Sequence, residues 1–176
     1  ADPIRAQLAA LPGVDVADTH VRMYPAGTLA SAALGHLGDV TDDDLDRLQR
    51  AGYQRGDLVG RTGIEAWGEF YLTGGRGGTL AITTRDLQVV ETIAQQPARP
   101  AGKVTVTLDH RIQSVGEQAF GANDGALVLT QIGTGILLAA VSAPGFDPNS
   151  FVLGMTERQW LGLSQDARRP LQNRPT

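Results

Sequence analysis

Two strand-length apolar runs, Ala126 to Ile132 and Ile136 to Ser142, are separated only by Gly133-Thr134-Gly135. Runs of this length joined by a short glycine turn predict an antiparallel hairpin. That excludes an all-helical chain. Strand-like and helix-like segments are interleaved irregularly around the hairpin, without the regular alternation of a parallel βαβ sheet. The fold class read from this pattern is α+β.

The remaining elements follow from local signals. Ile4 to Leu11 reads as a short helix closed by Pro12-Gly13. Val14, Val16, Val21 and Met23 alternate loosely and suggest a strand up to Pro25. Leu29 to Leu34 is a small-residue helix. Thr41 to Asp44 has the T-x-x-D form of a capping box, which starts a helix running to Arg50 and stopping at Gly52. Asp42, Asp43 and Asp44 then lie in its first turn, where acidic charge suits the helix dipole. They lack the D-x-D-x-D-G spacing of a calcium loop. Ile64 to Leu72 is a second helix, followed by the glycine loop Gly74 to Gly78. Thr79 to Thr84 and Leu87 to Ile93 read as strands. Pro97 to Pro100 reads as a linker between two lobes, residues 1–97 and 101–176. Val104 to Leu108 alternates as a strand, and Asp109 is placed to cap a helix from His110 to Phe120. Asn123-Asp124-Gly125 and Asp147-Pro148-Asn149 are turns, and Glu157 to Leu163 is a last helix.

Composition narrows the function classes. Aromatics are only 5 % of residues, so the core must be built mainly from Leu, Val, Ile and Ala. The net charge of −4 is mixed along the chain, which argues against a nucleic-acid partner. Arg168, Arg169 and Arg174 read as a solvated or salt-bridged end rather than a phosphate site. Without cysteine there are no disulfides and no thiolate metal sites. His20, His36 and His110 show no metal-binding spacing, so neither a metal nor a cofactor is expected. The glycine stretches lack the Gly-Lys-Ser/Thr of a phosphate loop and the third glycine of a dinucleotide fingerprint. Ser142 lies in V-S-A-P-G rather than G-x-S-x-G, so a small Ser–His hydrolase is the weakest of the readings. Glu65 and Glu69 are four apart and share one helix face, a spacing that could serve acid–base chemistry.

Seven motifs, taken in order, resemble one family over nearly the whole chain. Arg22 to Gly27 resembles R-x-Y-P-x-G, and Leu34 to Gly38 resembles L-G-Y-x-G. Gly60 to Glu65, with Glu69 and Leu72-Thr73-Gly74, resembles G-x-x-G-[IL]-E followed by E-x-x-L-x-G. Thr107 to Gln113 matches T-[IL]-D-x-x-[IL]-Q, and Gly125 to Pro144 has the family's hairpin pattern. Asp147 to Phe151 matches D-P-N-x-F, and Pro170 to Arg174 matches P-L-x-N-R. The family is the class B penicillin-binding proteins. The chain departs from its usual residues at Ala32 (often His), His36 (Tyr), Thr73 (Arg) and Ile136 (Glu).

The resemblance implies a non-catalytic pedestal, or dimerisation, part of a peptidoglycan D,D-transpeptidase that is a β-lactam target. It implies a pedestal lobe of short strands and helices joined to a hairpin-containing lobe that packs on the transpeptidase sheet. It also implies an extracytoplasmic location, with the parent held by an N-terminal membrane helix. The implied partners are the parent's own transpeptidase domain, a membrane glycosyltransferase and other wall-synthesis proteins of the division or elongation machinery, and a second copy in a homodimer. The upstream R-G-x-I-x-D-R-N-G strand of the family and its downstream S-x-x-K are not among residues 1–176.

No catalytic residue is expected here, on grounds independent of the resemblance. A penicilloyl serine transferase needs a serine with lysine three residues on, an S-x-N triplet and a second lysine in K-T-G. The chain has one lysine, Lys103, in none of these settings, and it has no S-x-N. The motif residues are therefore expected to be structural. Asp109 caps a helix, Gly63 permits a turn, Gly27 is a structural residue of the first motif, and Glu65 accepts N–H groups and pairs with Arg22. Gln113 belongs to the same motif as Asp109, Pro148 fixes the backbone after Asp147, and Asp147 bonds the Asn149 turn. Arg174 is expected to reach a carboxylate with both prongs. The alternative is a stand-alone binding or regulatory module without catalytic activity.

Overall fold

The computed structural model describes residues 21–86 and 88–176. The helix expected over Ile4 to Leu11 and the start of the strand expected up to Pro25 lie outside them. Its end is not a strand: residues 21–24 are irregular and a turn begins at Pro25.

Helix α1, Ser31–Leu34, is a single turn and leads into β1, Leu37–Asp39. Thr41 then opens α2, Asp42–Leu48, with the capping box that its sequence encodes. The Asp44 N–H donates to Thr41 Oγ1 (3.3 Å), and the Thr41 N–H donates to Asp44 Oδ2 (2.9 Å). A 3₁₀ turn over Gln49–Ala51 ends at Gly52, whose φ of 90° suits a residue without a β-carbon. Strand β2, Leu58–Gly60, pairs antiparallel with β1, placing Leu37 opposite Gly60. Val40, Tyr53 and Val59 form a small buried core under this pair, with Leu45 and Leu48 of α2 against it.

Helix α3, Gly63–Leu72, begins one residue before the expected Ile64. Gly63 has φ 58°, and a β-carbon there would sit 2.6 Å from the Ala33 carbonyl oxygen. Facing it, a β-carbon on Gly35 would meet the Thr62 carbonyl oxygen at 1.9 Å. The two glycines let the end of α1 and the start of α3 come within backbone contact of each other, which no larger residue allows.

Strands β3, Gly78–Thr83, and β4, Val89–Gln96, form a hairpin with two register shifts. β4 extends beyond the expected Ile93. Nearly every residue of the hairpin is exposed, on both faces. Its base is pinned by the paired backbones of Gly75 and Arg99, so the expected Pro97–Pro100 linker is a loop held at that bridge.

Val104 to Leu108 is not a strand. The segment runs beside the later hairpin, but only the Thr107 hydroxyl and the Asp109 N–H bond it, reaching the carbonyls of Leu137 and Leu138. Alternation supplied the apolar face, yet a strand also needs a neighbour that completes its backbone ladder. Asp109 caps α4, His110–Phe120, through Oδ1 to the N–H groups of Arg111 (2.9 Å) and Ile112 (3.4 Å).

Strands β5, Gly125–Thr130, and β6, Leu137–Ala143, make the predicted hairpin. Gln131 to Ile136 form its turn, with Ile132 fully in solvent. Helix α4 lies on β6. Gly116 of α4 comes so near Val141 that a β-carbon would stand 2.9 Å from its Cγ2. Ala139, Ala140, Val141 and Ala143 are buried beneath the helix. Helices α5, Asn149–Val152, and α6, Glu157–Ser164, close the chain. α6 opens with a second capping box, Thr156 with Gln159. Among the described residues, three separate two-stranded antiparallel sheets among short helices make the fold α+β.

Candidate functional site

The two glutamates of α3 face different partners. Glu65, nearly buried, accepts from the Tyr24 hydroxyl (2.9 Å) and from Arg22 Nε (3.1 Å), both at Oε1. Its Oε2 is buried without a partner among the described residues. Burial and the neighbouring Glu65 carboxylate raise the Tyr24 phenol far above its ordinary value, so Tyr24 remains a donor. Glu69 receives the Gly60 N–H at Oε2 (2.6 Å), while Tyr53 and Thr73 bond its Oε1. Burial first, then the bond to Glu69, push the Tyr53 phenol up to about 12. Each carboxylate is thus committed to ordered donors on the protein, which is the chemistry of a brace rather than of an acid–base pair.

A third brace holds α2. Arg61 grips Asp44 with both prongs (3.1 and 2.6 Å) and also donates to the Asp39 carbonyl. The Arg61 bonds, then those of Thr41, hold the Asp44 carboxyl well below the usual carboxylate range.

Further motif residues tie distant segments together. Asn149 acts as a clamp on the Tyr24 backbone: its Oδ1 accepts the Tyr24 N–H and its Nδ2 donates to the Tyr24 carbonyl, both at 2.9 Å. Asp147 Oδ1 orients that clamp by accepting from both the N–H and Nδ2 of Asn149. Pro148 between them is fully buried. Gln113, 1 % exposed, makes the same two-sided contact with Ala140 of β6 and also donates to Glu117 Oε1 (2.8 Å). Glu117 in turn accepts the Ala30 N–H (2.7 Å). Gly27 sits in the turn after Pro25 with φ 58°, and no atom would touch its β-carbon.

Two expectations change. Arg174 reaches no carboxylate among the described residues; its guanidinium donates to the Arg168 and Arg169 carbonyls, because the chain turns back on itself after Asp166. Arg168 itself pairs with Asp124 (2.7 Å). Ser142 Oγ donates to the Gln172 carbonyl (2.8 Å) and accepts the Arg174 N–H (3.3 Å), so it fastens the C-terminal segment. Neither His36 nor His110 bonds it, which leaves the hydrolase reading without a dyad among the described residues.

No group of three metal-ligating side chains occurs among the described residues. What they offer outward is apolar. Trp67, Phe70 and Tyr71 of α3 are 71, 84 and 56 % exposed, with Trp67 and Phe70 each against Tyr71. A cavity of about 480 Å³ opens between Ile64, residues 105–108, Val128, Leu137 and the C-terminal residues. Sequence reasoning missed Tyr53, Glu117 and the Asn149 clamp. Only the last left a signal, as a turn asparagine next to a proline.

The sequence profile of the penicillin-binding protein dimerisation domain matches residues 1–106. The peptidoglycan D,D-transpeptidase MrdA of Escherichia coli K12 is 31 % identical over 94 % of the chain, and penicillin-binding protein 3 of Bacillus subtilis is 29 % identical over 93 %. The chain spans 27 % and 24 % of their lengths. Among solved structures, PBP2 of Helicobacter pylori in complex with MreC superposes with a TM-score of 0.84 at 30 % identity. That match covers 98 % of this chain and 32 % of the other. The fold, the motif frame and these matches agree that the chain belongs to the penicillin-binding protein dimerisation-domain family.

Proposed function

We propose that this chain is the non-catalytic pedestal of a peptidoglycan D,D-transpeptidase. In that role it holds a catalytic domain clear of the membrane and offers a surface to partners. The observation that carries the reading is a match to a D,D-transpeptidase over 94 % of this chain and 27 % of the relative, in a chain whose only lysine is Lys103. With one lysine, the chain cannot supply both lysines of the acyl-transfer machinery. The motif residues from Arg22 to Arg174 are then the frame of the pedestal, and residues 1–97 and 101–176 are its two lobes.

Partner and location follow from the same reading. The family's description supports a homodimer, and the Helicobacter pylori relative in its MreC complex supports an elongation-machinery partner. A membrane glycosyltransferase is the further partner proposed. The exposed aromatic trio on α3 supports a protein-binding role. The location proposed is extracytoplasmic. No described helix is long and apolar enough to cross a membrane, so the anchor of such a parent would come from residues other than these.

A fluorescent penicillin tests the claim. The purified chain is expected to show no covalent label. A labelled band that excess ampicillin removes would overturn the non-catalytic reading. The second reading, a stand-alone binding module, is separated from the first by the gene. An S-x-x-K codon run in frame after Thr176 supports the pedestal, and a stop codon there supports the module.

A further inference from the structure

His36 occupies an unusual seat. It lies between α1 and β1, yet its ring stacks on Phe151 of α5 with centroids 4.1 Å apart and planes 29° from parallel. Phe146 stands edge-on to it at 5.6 Å, and the two phenylalanines touch each other at 5.7 Å. The three rings therefore join the β1–β2 unit to the segment that follows β6, across more than a hundred residues of chain. Phe146 is buried and its N–H is held by Ser31 Oγ (3.2 Å), so the seat is part of the core rather than a surface ornament.

Hydrogen bonding engages one ring nitrogen. Thr62 Oγ1 lies 3.0 Å from His36 Nδ1 and also receives the His36 backbone N–H at 3.3 Å. With that N–H already directed at the oxygen, the hydroxyl hydrogen is free to point to Nδ1, which then acts as acceptor. A proton added at Nδ1 reverses that bond: the hydroxyl oxygen must then accept from the ring, and its hydrogen turns away. Among the described residues no carboxylate bonds the ring. Arg61 is the nearest charge on β2's end of the site, and its Asp44 partner is spent on it. Asp147, ahead of α5, is bonded to Asn149; Glu65 of α3 is bonded to Arg22 and Tyr24; Asp39 of β1 forms no ion pair among the described residues.

We propose that His36 is an acid-sensitive joint: protonating its ring loosens the seat of Phe146 and Phe151 and frees the α5 segment from β1. Burial, and after it the Arg61 charge, lower the ring's proton affinity in the folded chain. The sign follows. A folded pKa below the unfolded value of about 6.5 leaves the stabilisation complete above pH 6.5, and it drains away as pH falls through the lower folded value.

The test is a pair of measurements on the whole chain. Melting temperature is followed from pH 8 to 5 for the wild type, for His36→Tyr, and for His110→Gln as an exposed-histidine control. The joint predicts a fall of several degrees below pH 6.5 in the wild type and the control, and a shallower profile in His36→Tyr. Protection factors of residues 146–152, corrected for the intrinsic pH dependence of amide exchange, are expected to fall about tenfold in the wild type over the same range. Parallel melting profiles for wild type and His36→Tyr would overturn the proposal. Should His36→Tyr not fold, the NMR titration of the wild-type His36 ring decides alone. A midpoint below 6.5, with Phe151 resonances shifting in step, supports the joint, and a midpoint at or above 6.5 overturns it.

Discussion

Gln113 shows how a single side chain can substitute for a strand. Its amide meets the N–H and the C=O of Ala140 (2.8 and 3.0 Å), as a neighbouring strand would. This edge of β6 would otherwise leave two buried backbone groups without partners beneath α4. Such groups cost about 1–3 kcal/mol each when stripped of their bond. Gln113→Ala removes both bonds and leaves a hole where a fully buried side chain stood. We expect a loss of at least about 3 kcal/mol in urea-denaturation stability, at the upper end of single-residue effects. A loss under about 1 kcal/mol would mean that water or a shifted side chain restores the bonds. Asn149 uses the same amide geometry on Tyr24, so the frame relies on one device twice.

At the scale of elements, the two hairpins contrast sharply. β5–β6 has one face under α4, with Ala139 and Val141 fully buried. β3–β4 has Leu80, Ile82, Val89, Val90 and Ile93 all exposed. A two-stranded hairpin without a packed face is marginal in water. Amide exchange should therefore be slow at Ala139–Ala143 and faster by at least about a hundredfold at Gly78–Gln96, because local opening there breaks few contacts. Equal protection in the isolated chain would show that β3–β4 is covered in solution. The same contrast marks what the sequence could disclose. The Thr41 capping box, the Asp109 cap and the β5–β6 pairing are local, and residues a few positions apart encode them. The strand expected at Val104–Leu108 fails because its neighbour's ladder is not encoded in its own alternation. Arg174 was legible as a motif residue but not its partners, the Arg168 and Arg169 carbonyls, because those depend on how the tail turns. In the site, Arg22 with Glu65 was legible from charge, whereas Tyr53 with Glu69 needed the fold to bring them together.

Over the whole molecule, the loop at Pro97–Pro100 divides the chain in sequence more cleanly than in space. Residues 24–36 belong sequentially to the first lobe, yet they are fastened to the second. Tyr24 is clamped by Asn149, Ala30 by Glu117, Ser31 by Phe146, and His36 is stacked on Phe151. In the other direction, Val104 reaches Gly68 of α3, and the Gly102 N–H bonds the Tyr71 carbonyl (2.7 Å). A chain cut at this loop should therefore separate into pieces that each lack half of a shared core. Residues 101–176 alone would expose Phe146, Phe151 and the buried Pro148. We expect that piece to show little tertiary structure by near-ultraviolet circular dichroism and dispersed NMR. Co-expressed with residues 1–100, it should be recovered as a folded complex that co-purifies. Two independently folded halves would instead mean that the contacts across the loop are a docking interface, in the manner of separate domains. The aromatic and amide contacts across the loop are long-range and at least partly buried, which favours one cooperative unit and a single unfolding transition for the pedestal.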